Sequence, residues 1–172
     1  MATEGRNLSE YNKDFVPNGA DFKVGIVVSE WNDAITLNLL KGAKEALIDN
    51  GVQEDNIIVR FVPGAFELPL GAQYFCEYSD VDGIVVIGVV IQGETKHFDF
   101  VCDGATQGIK DVNLKYNTPV AFCLLTDNNM QQSIDRSGGK HGNKGVECAI
   151  ACLKMIDLKK QFKTTGKIGY SN

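Results

Sequence analysis

Residues 88–99 read Gly88-Val89-Val90-Ile91-Gln92-Gly93-Glu94-Thr95-Lys96-His97-Phe98-Asp99. They close an apolar run that starts at Gly83 and is rich in β-branched side chains. A run of that kind fits a strand buried on both faces, as in parallel sheets. Gly93 breaks it, and Glu94-Thr95 reads as the opening of a helix. A strand, a glycine turn and a helix start together make an anion site. Free backbone N–H groups and the positive end of the helix dipole converge at the strand's end. His97 falls in the first turn, where an imidazole can move protons beside a bound anion. The plain alternative is ordinary punctuation between strand and helix with a surface histidine, so the neighbouring segments have to decide.

Working outward, the same alternation recurs. Residues 22–28 form a short apolar strand. Asn32 or Asp33 caps a helix whose Ile35, Leu39, Ala43, Ala46 and Leu47 fall at helical spacing, and Asn50-Gly51 stops it. Residues 57–62 give a second strand, broken by Pro63-Gly64. Ala65-Phe66-Glu67-Leu68-Pro69 then leads into a helix running to about Tyr78, with Pro69 in the first turn, where its missing N–H costs nothing.

After the third strand comes a long helix, about 96–116, with Phe100, Val101, Ala105, Ile109 and Val112 on one face. Residues 119–125 are a fourth strand, and Thr126-Asp127 caps a short helix carrying Met130, Ile134 and Arg136. Residues 137–145 are a glycine-rich, basic connection. The last helix, about 143–159, has Val146, Ala149, Ile150, Leu153 and Ile156 as its core stripe. Cys148, Cys152 and Met155 make a second apolar line that reads as facing a partner.

Four strand–helix repeats predict an α/β fold, a three-layer αβα sandwich around a four-stranded parallel sheet with right-handed crossovers. Residues 1–21 read as an N-terminal arm, 22–162 as one α/β domain and 163–172 as a C-terminal tail. Neither Gly-x-Gly-x-x-Gly nor Gly-x4-Gly-Lys-Ser/Thr occurs, so the common dinucleotide and nucleoside triphosphate sites have no support.

The 172 residues, 44% hydrophobic and 23% charged, suit one soluble domain. A net charge of −5 argues against nucleic-acid binding. No apolar run reaches the ~20 residues of a membrane span, and the N-terminus lacks the apolar core of a secretory signal. Five cysteines without a Cys-x-x-Cys read as reduced, buried thiols of a cytoplasmic protein, and two histidines make a dedicated zinc site unexpected.

In parallel α/β sheets, ligands bind beyond the carboxyl ends of the strands. Beyond the first strand stands Trp31, beyond the second Gly64 to Glu67, beyond the third Gly93 to His97. Beyond the fourth come Arg136 and Lys144. An aromatic, a carboxylate, an anion cradle, a histidine and two cations along one edge suit a flat polar heterocycle plus a phosphate. Each residue alone has a plainer use: Trp31 as a rim residue of the core, Glu67 as a helix N-terminal charge, Arg136 and Lys144 as solvated cations.

Val62-Pro63-Gly64-Ala65-Phe66-Glu67-Leu68-Pro69, residues 88–99 and Gly142-Asn143-Lys144-Gly145 together closely resemble the 6,7-dimethyl-8-ribityllumazine synthases, over about residues 22–162. The resemblance implies a flavodoxin-like fold and the penultimate step of riboflavin biosynthesis. The family condenses 5-amino-6-(D-ribitylamino)uracil with 3,4-dihydroxy-2-butanone 4-phosphate, with no metal or organic cofactor.

It further implies that Trp31, where many members have Phe, stacks on the pyrimidine. Ala65, Phe66 and Glu67 hold the ribityl chain, and Val90 and Ile91 read the pyrimidine. Gly93, Glu94 and Thr95 cradle the phosphate with Arg136, and His97 transfers protons. Phe122 and Lys144 match positions that reach a neighbouring subunit's site. The family assembles as pentamers, in some members as icosahedral shells that can accompany riboflavin synthase. The short 138–142 connection resembles that of the shell formers. Two other readings stay open at this point: a non-catalytic flavin- or phosphate-binding module, and a shell-forming scaffold.

Overall fold

The computed structural model of the chain describes residues 7–164. Four parallel strands form its centre: β1 (Val24–Ser29), β2 (Ile57–Val62), β3 (Gly83–Ile91) and β4 (Val120–Asp127), in the spatial order β2-β1-β3-β4. Val24 lies beside both Ile57 and Gly83, and Ile84 beside Val120. All six residues of β1 are buried, as are the first seven of β3, which explains their unbroken apolar runs.

Successive side chains feed opposite layers. Val24, Ile26 and Val28 pack with helices α1 (Asp33–Asp49) and α5 (Lys144–Thr164). Val27, Ile84, Val86 and Leu124 pack with α2 (Leu68–Tyr78) and α3 (His97–Tyr116). This is the expected αβα sandwich. Leucines 39, 47, 68 and 153 are fully buried, each contributing about 1.5–3 kcal/mol by leaving water.

Several boundaries shift for identifiable reasons. β1 starts at Val24 rather than residue 22, and Phe22 packs under α5 instead, with the Lys160 ammonium over its ring. β4 runs on to Asp127, because β3 extends far enough to pair with it there. The short helix α4 (Met130–Arg136) is capped not by Thr126 or Asp127 but by Asn129, whose side chain accepts from the Gln132 N–H at 3.0 Å. Asn32 precedes α1 in the left-handed region (φ 58°) and makes no side-chain cap. α3 begins at His97, so Glu94 and Thr95 stand in a bend before the helix rather than in its first turn.

The cysteine line of α5 does not face a partner. Cys148 and Cys152 are buried, and their thiols donate to the carbonyls of Phe122 (3.3 Å) and Ile84 (3.7 Å). The helix lies across β3 and β4, so both of its apolar lines meet the chain's own sheet, and only Met155 remains half exposed.

Residues 137–145 are ordered as a small antiparallel hairpin, β5 (Ser137–Gly139) and β6 (Gly142–Asn143), followed directly by α5. It needs Gly138 (φ 118°), at the irregularity between Ser137 and Gly139, and Gly142 (φ 82°), just after the turn, values that side-chain-bearing residues rarely adopt. The described part of the N-terminal segment docks on this hairpin within its own chain. Leu8 is buried, its N–H donates to the His141 carbonyl at 2.8 Å, and Ser9 Oγ accepts from the Asn143 N–H at 2.9 Å. The tail expected from 163 overlaps the end of α5; its remainder lies outside the described residues. Where α1 passes the start of α5, a Cβ on Gly145 would sit 2.0 Å from the Leu39 carbonyl oxygen.

Candidate active site

A cleft of about 750 Å³ opens beyond the carboxyl ends of β1, β2 and β3. Trp31, placed by the turn after β1, forms one wall with 73% of its surface exposed. Ala65, Phe66 and Glu67 form a second wall on the single 3-10 turn that leads from β2 into α2. Pro69 early in α2 and the Gly64 carbonyl, which accepts from the Glu67 N–H at 3.3 Å, set the direction of that turn. Val90 and Ile91 form the floor, and His97 closes the far side at the first residue of α3.

Five of the expected contact positions and the expected proton carrier therefore share one space with Trp31. Asn32, Val89, Phe100 and Val101 line it too, beyond what the sequence reading assigned. Phe100 and Val101 had a signal available: they lie three and four residues after His97, on the same side of α3. Core periodicity absorbed them instead, although Phe100 is largely exposed.

The remaining candidates lie elsewhere. Gly93, Glu94 and Thr95 are exposed in the loop between β3 and α3, and Thr95 Oγ1 accepts a long hydrogen bond, 3.4 Å, from the His97 N–H. Gly93 has no neighbour where a Cβ would stand, leaving open space over the loop. Arg136 and Lys144 line a separate recess of about 410 Å³ beyond the end of β4, with Asp127, Asn128 and Gln132. The cleft and the recess have no lining residue in common. Phe122 belongs to neither; it projects from the edge strand β4, 38% exposed.

The recess is electrostatically organised. Arg136 Nη1 donates to the Gln132 carbonyl at 2.9 Å. The Lys144 side chain is only 19% exposed, and its Nζ lies 2.7 Å from Glu147 Oε1. Burial pulls the Lys144 ammonium down, but the hydrogen bond to the Glu147 carboxylate counters it, and the group is held above the ordinary lysine range. Lys144 is thus a fixed cation at neutral pH.

Chemically, the cleft offers a stacking surface, a carboxylate and an imidazole. The recess offers positive charge suited to an oxyanion. Among the described residues, no helix is long and apolar enough to cross a membrane, and no three His, Cys, Asp or Glu side chains are grouped to hold a metal.

Residues 21–160 match the family model of 6,7-dimethyl-8-ribityllumazine synthase. The chain belongs to that family. It is 63% identical over 161 residues to the 6,7-dimethyl-8-ribityllumazine synthase of Flavobacterium johnsoniae, covering 94% of this chain and 85% of that one. It is 60% identical over 164 residues to the protein of that name from Christiangramia forsetii, covering 95% and 98%. The Flavobacterium psychrophilum protein of that name is 56% identical over 161 residues. Membership makes the chain an enzyme of riboflavin biosynthesis, a transferase acting on small molecules, and disfavours the non-catalytic module and the scaffold.

Proposed function

We propose that this chain condenses 5-amino-6-(D-ribitylamino)uracil with 3,4-dihydroxy-2-butanone 4-phosphate, releasing 6,7-dimethyl-8-ribityllumazine, phosphate and water, in a site shared by two copies. One copy supplies the cleft of Trp31, Ala65, Phe66, Glu67, Val90, Ile91 and His97. An adjacent copy supplies Phe122, Arg136 and Lys144. The observation that carries this reading is the separation of cleft and recess: the stacking ring, the carboxylate and the imidazole line one, and the two cations line the other.

In this reading the pyrimidine stacks on Trp31, and the ribityl chain runs along Ala65 to Glu67. The phosphate lies at Gly93 to Thr95 against the neighbour's Arg136, whose fork-shaped guanidinium can bind two oxygens at once. Amine addition to the ketone, loss of water and phosphate, and ring closure all move protons. His97 takes and returns them. Because both substrates are small and stay unattached to the protein, much of the acceleration comes from holding them together. The assembly is a pentamer, able through the short 138–142 turn to build a closed shell in the cytoplasm, with riboflavin synthase as an accompanying partner.

Mixing the purified chain with both substrates and following lumazine fluorescence tests the activity; no product overturns it. Co-assembling an H97A copy with an R136A copy tests the sharing. Recovery of part of the lost activity in the mixed oligomer is expected. Two inactive variants that stay inactive together, despite proven subunit exchange, exclude a site built between copies.

A further inference from the structure

The recess contains a buried contact that the proposed reaction does not use. Asp127, the last residue of β4, is 7% exposed, and one of its carboxylate oxygens accepts from Ser133 Oγ at 2.8 Å. Ser133 is fully buried in the middle of α4, three residues before Arg136. The backbone carbonyl of the same Asp127 accepts from the Gln92 N–H at 2.9 Å, at the mouth of the Gly93–Thr95 loop. A single residue thus joins the sheet end to the helix that carries the arginine.

We infer that Asp127 and Ser133 form a positioning pair that sets the guanidinium of Arg136 where it meets the phosphate of the substrate. The inference rests on the reading of Arg136 given above. α4 has only seven residues, too few to hold its orientation by its own backbone bonds. Its N-terminus is fixed by Asn129, and Gln132 Oε1 reaches back to the Asn128 N–H at 2.9 Å. These bonds set where the helix starts but not how it is rolled about its axis. The Asp127–Ser133 contact supplies that second point of attachment, in a buried setting where a hydrogen bond to a charged oxygen is strong. With the roll fixed, Arg136 Nη1 stays on the Gln132 carbonyl, and the side chain keeps its place in the lining of the recess.

Three variants and one background test this. D127A and S133A each remove the contact. D127N keeps a carbonyl oxygen that can accept from Ser133. We expect D127A and S133A to raise KM for the butanone phosphate about tenfold, and the inhibition constant of inorganic phosphate in parallel, since one charged hydrogen bond is lost. KM for the pyrimidine should stay within about twofold, and D127N should recover most of the loss. In an R136A background the same changes should have no further effect on phosphate binding, because the pair acts through the arginine.

A D127N variant as impaired as D127A, an equal rise in both Michaelis constants, or full additivity with R136A would each overturn the positioning role. R136A impaired with D127A and S133A unchanged sinks this inference alone. An R136A enzyme with normal phosphate affinity sinks the underlying reading and this inference with it. Should D127A fail to fold, S133A, which loses only a hydroxyl, decides the matter.

Discussion

The cleft beyond β1–β3 and the recess beyond β4 are built in opposite ways. Trp31, Phe66, His97 and Phe100 stand largely in solvent, on a turn, a 3-10 segment and the first turn of α3. In the recess, Arg136 is tied to a carbonyl, Lys144 to Glu147 and Asp127 to Ser133, each within 2.9 Å. Aromatic surface left in water gains free energy when a ligand covers it. Charges that must bind an anion gain most when held in place beforehand, since no reorganisation is then needed during the reaction. The difference assigns the two regions distinct kinetic signatures.

The largest effect is expected from R136A. Losing a fork-shaped cation opposite a dianion should raise KM for the phosphate-bearing substrate about a hundredfold, measured by initial rates at saturating pyrimidine. An unchanged constant removes Arg136 from the phosphate site. H97A comes next: kcat should fall about ten- to a hundredfold while the melting temperature holds, because the residue is exposed and its loss costs proton transfer rather than packing. A stability loss matching the loss of rate would erase the contrast between cleft and recess.

W31A is expected to raise KM for the pyrimidine about tenfold, within the range for losing one aromatic stack, with little effect on the phosphate substrate. Isothermal titration with a pyrimidine analogue reads this directly.

The smallest effect concerns the ground beneath Lys144. Burial pushes the Cys152 thiol up to about 12, and the neighbouring Cys148 thiol together with burial raises Cys123 well above the usual range. Both stay neutral and unreactive at pH 8. A native-state thiol reagent should therefore label neither until denaturant is added, whereas the half-buried Cys76 and Cys102 should react slowly. Because the folded value of Cys152 lies above the ordinary 9.0, the stability linked to it is complete below pH 9 and declines as pH climbs towards 12. Fast labelling of Cys152 in the folded protein would show that this side of the molecule opens freely.

Most of the layering was legible in the sequence, because the unbroken apolar runs of β1 and β3 have few other uses and the helical stripes of α1 and α3 are regular. The cleft was legible too, since residues that follow parallel strands gather at one edge. What the sequence could not reveal was that β4 divides the candidate residues. That depends on the spatial order of the strands and on the path of α4, neither of which leaves a periodic trace. The hairpin at 137–143 was hidden for a related reason: strands of two and three residues carry no alternation to read. Helical periodicity tells which residues share a face but not how wide a sheet that face covers, so it does not reveal that Cys148 and Cys152 meet the chain's own sheet.

Lys144 owes its location to a missing methyl group. One residue later, Gly145 lets the start of α5 come against the Leu39 carbonyl, with no space left for a Cβ. Even alanine at 145 would act as a wedge between the two helices and would push the start of α5, with Lys144 and Glu147 together, away from α1. At this spot, the smallest amino acid sets the address of one of the largest side chains.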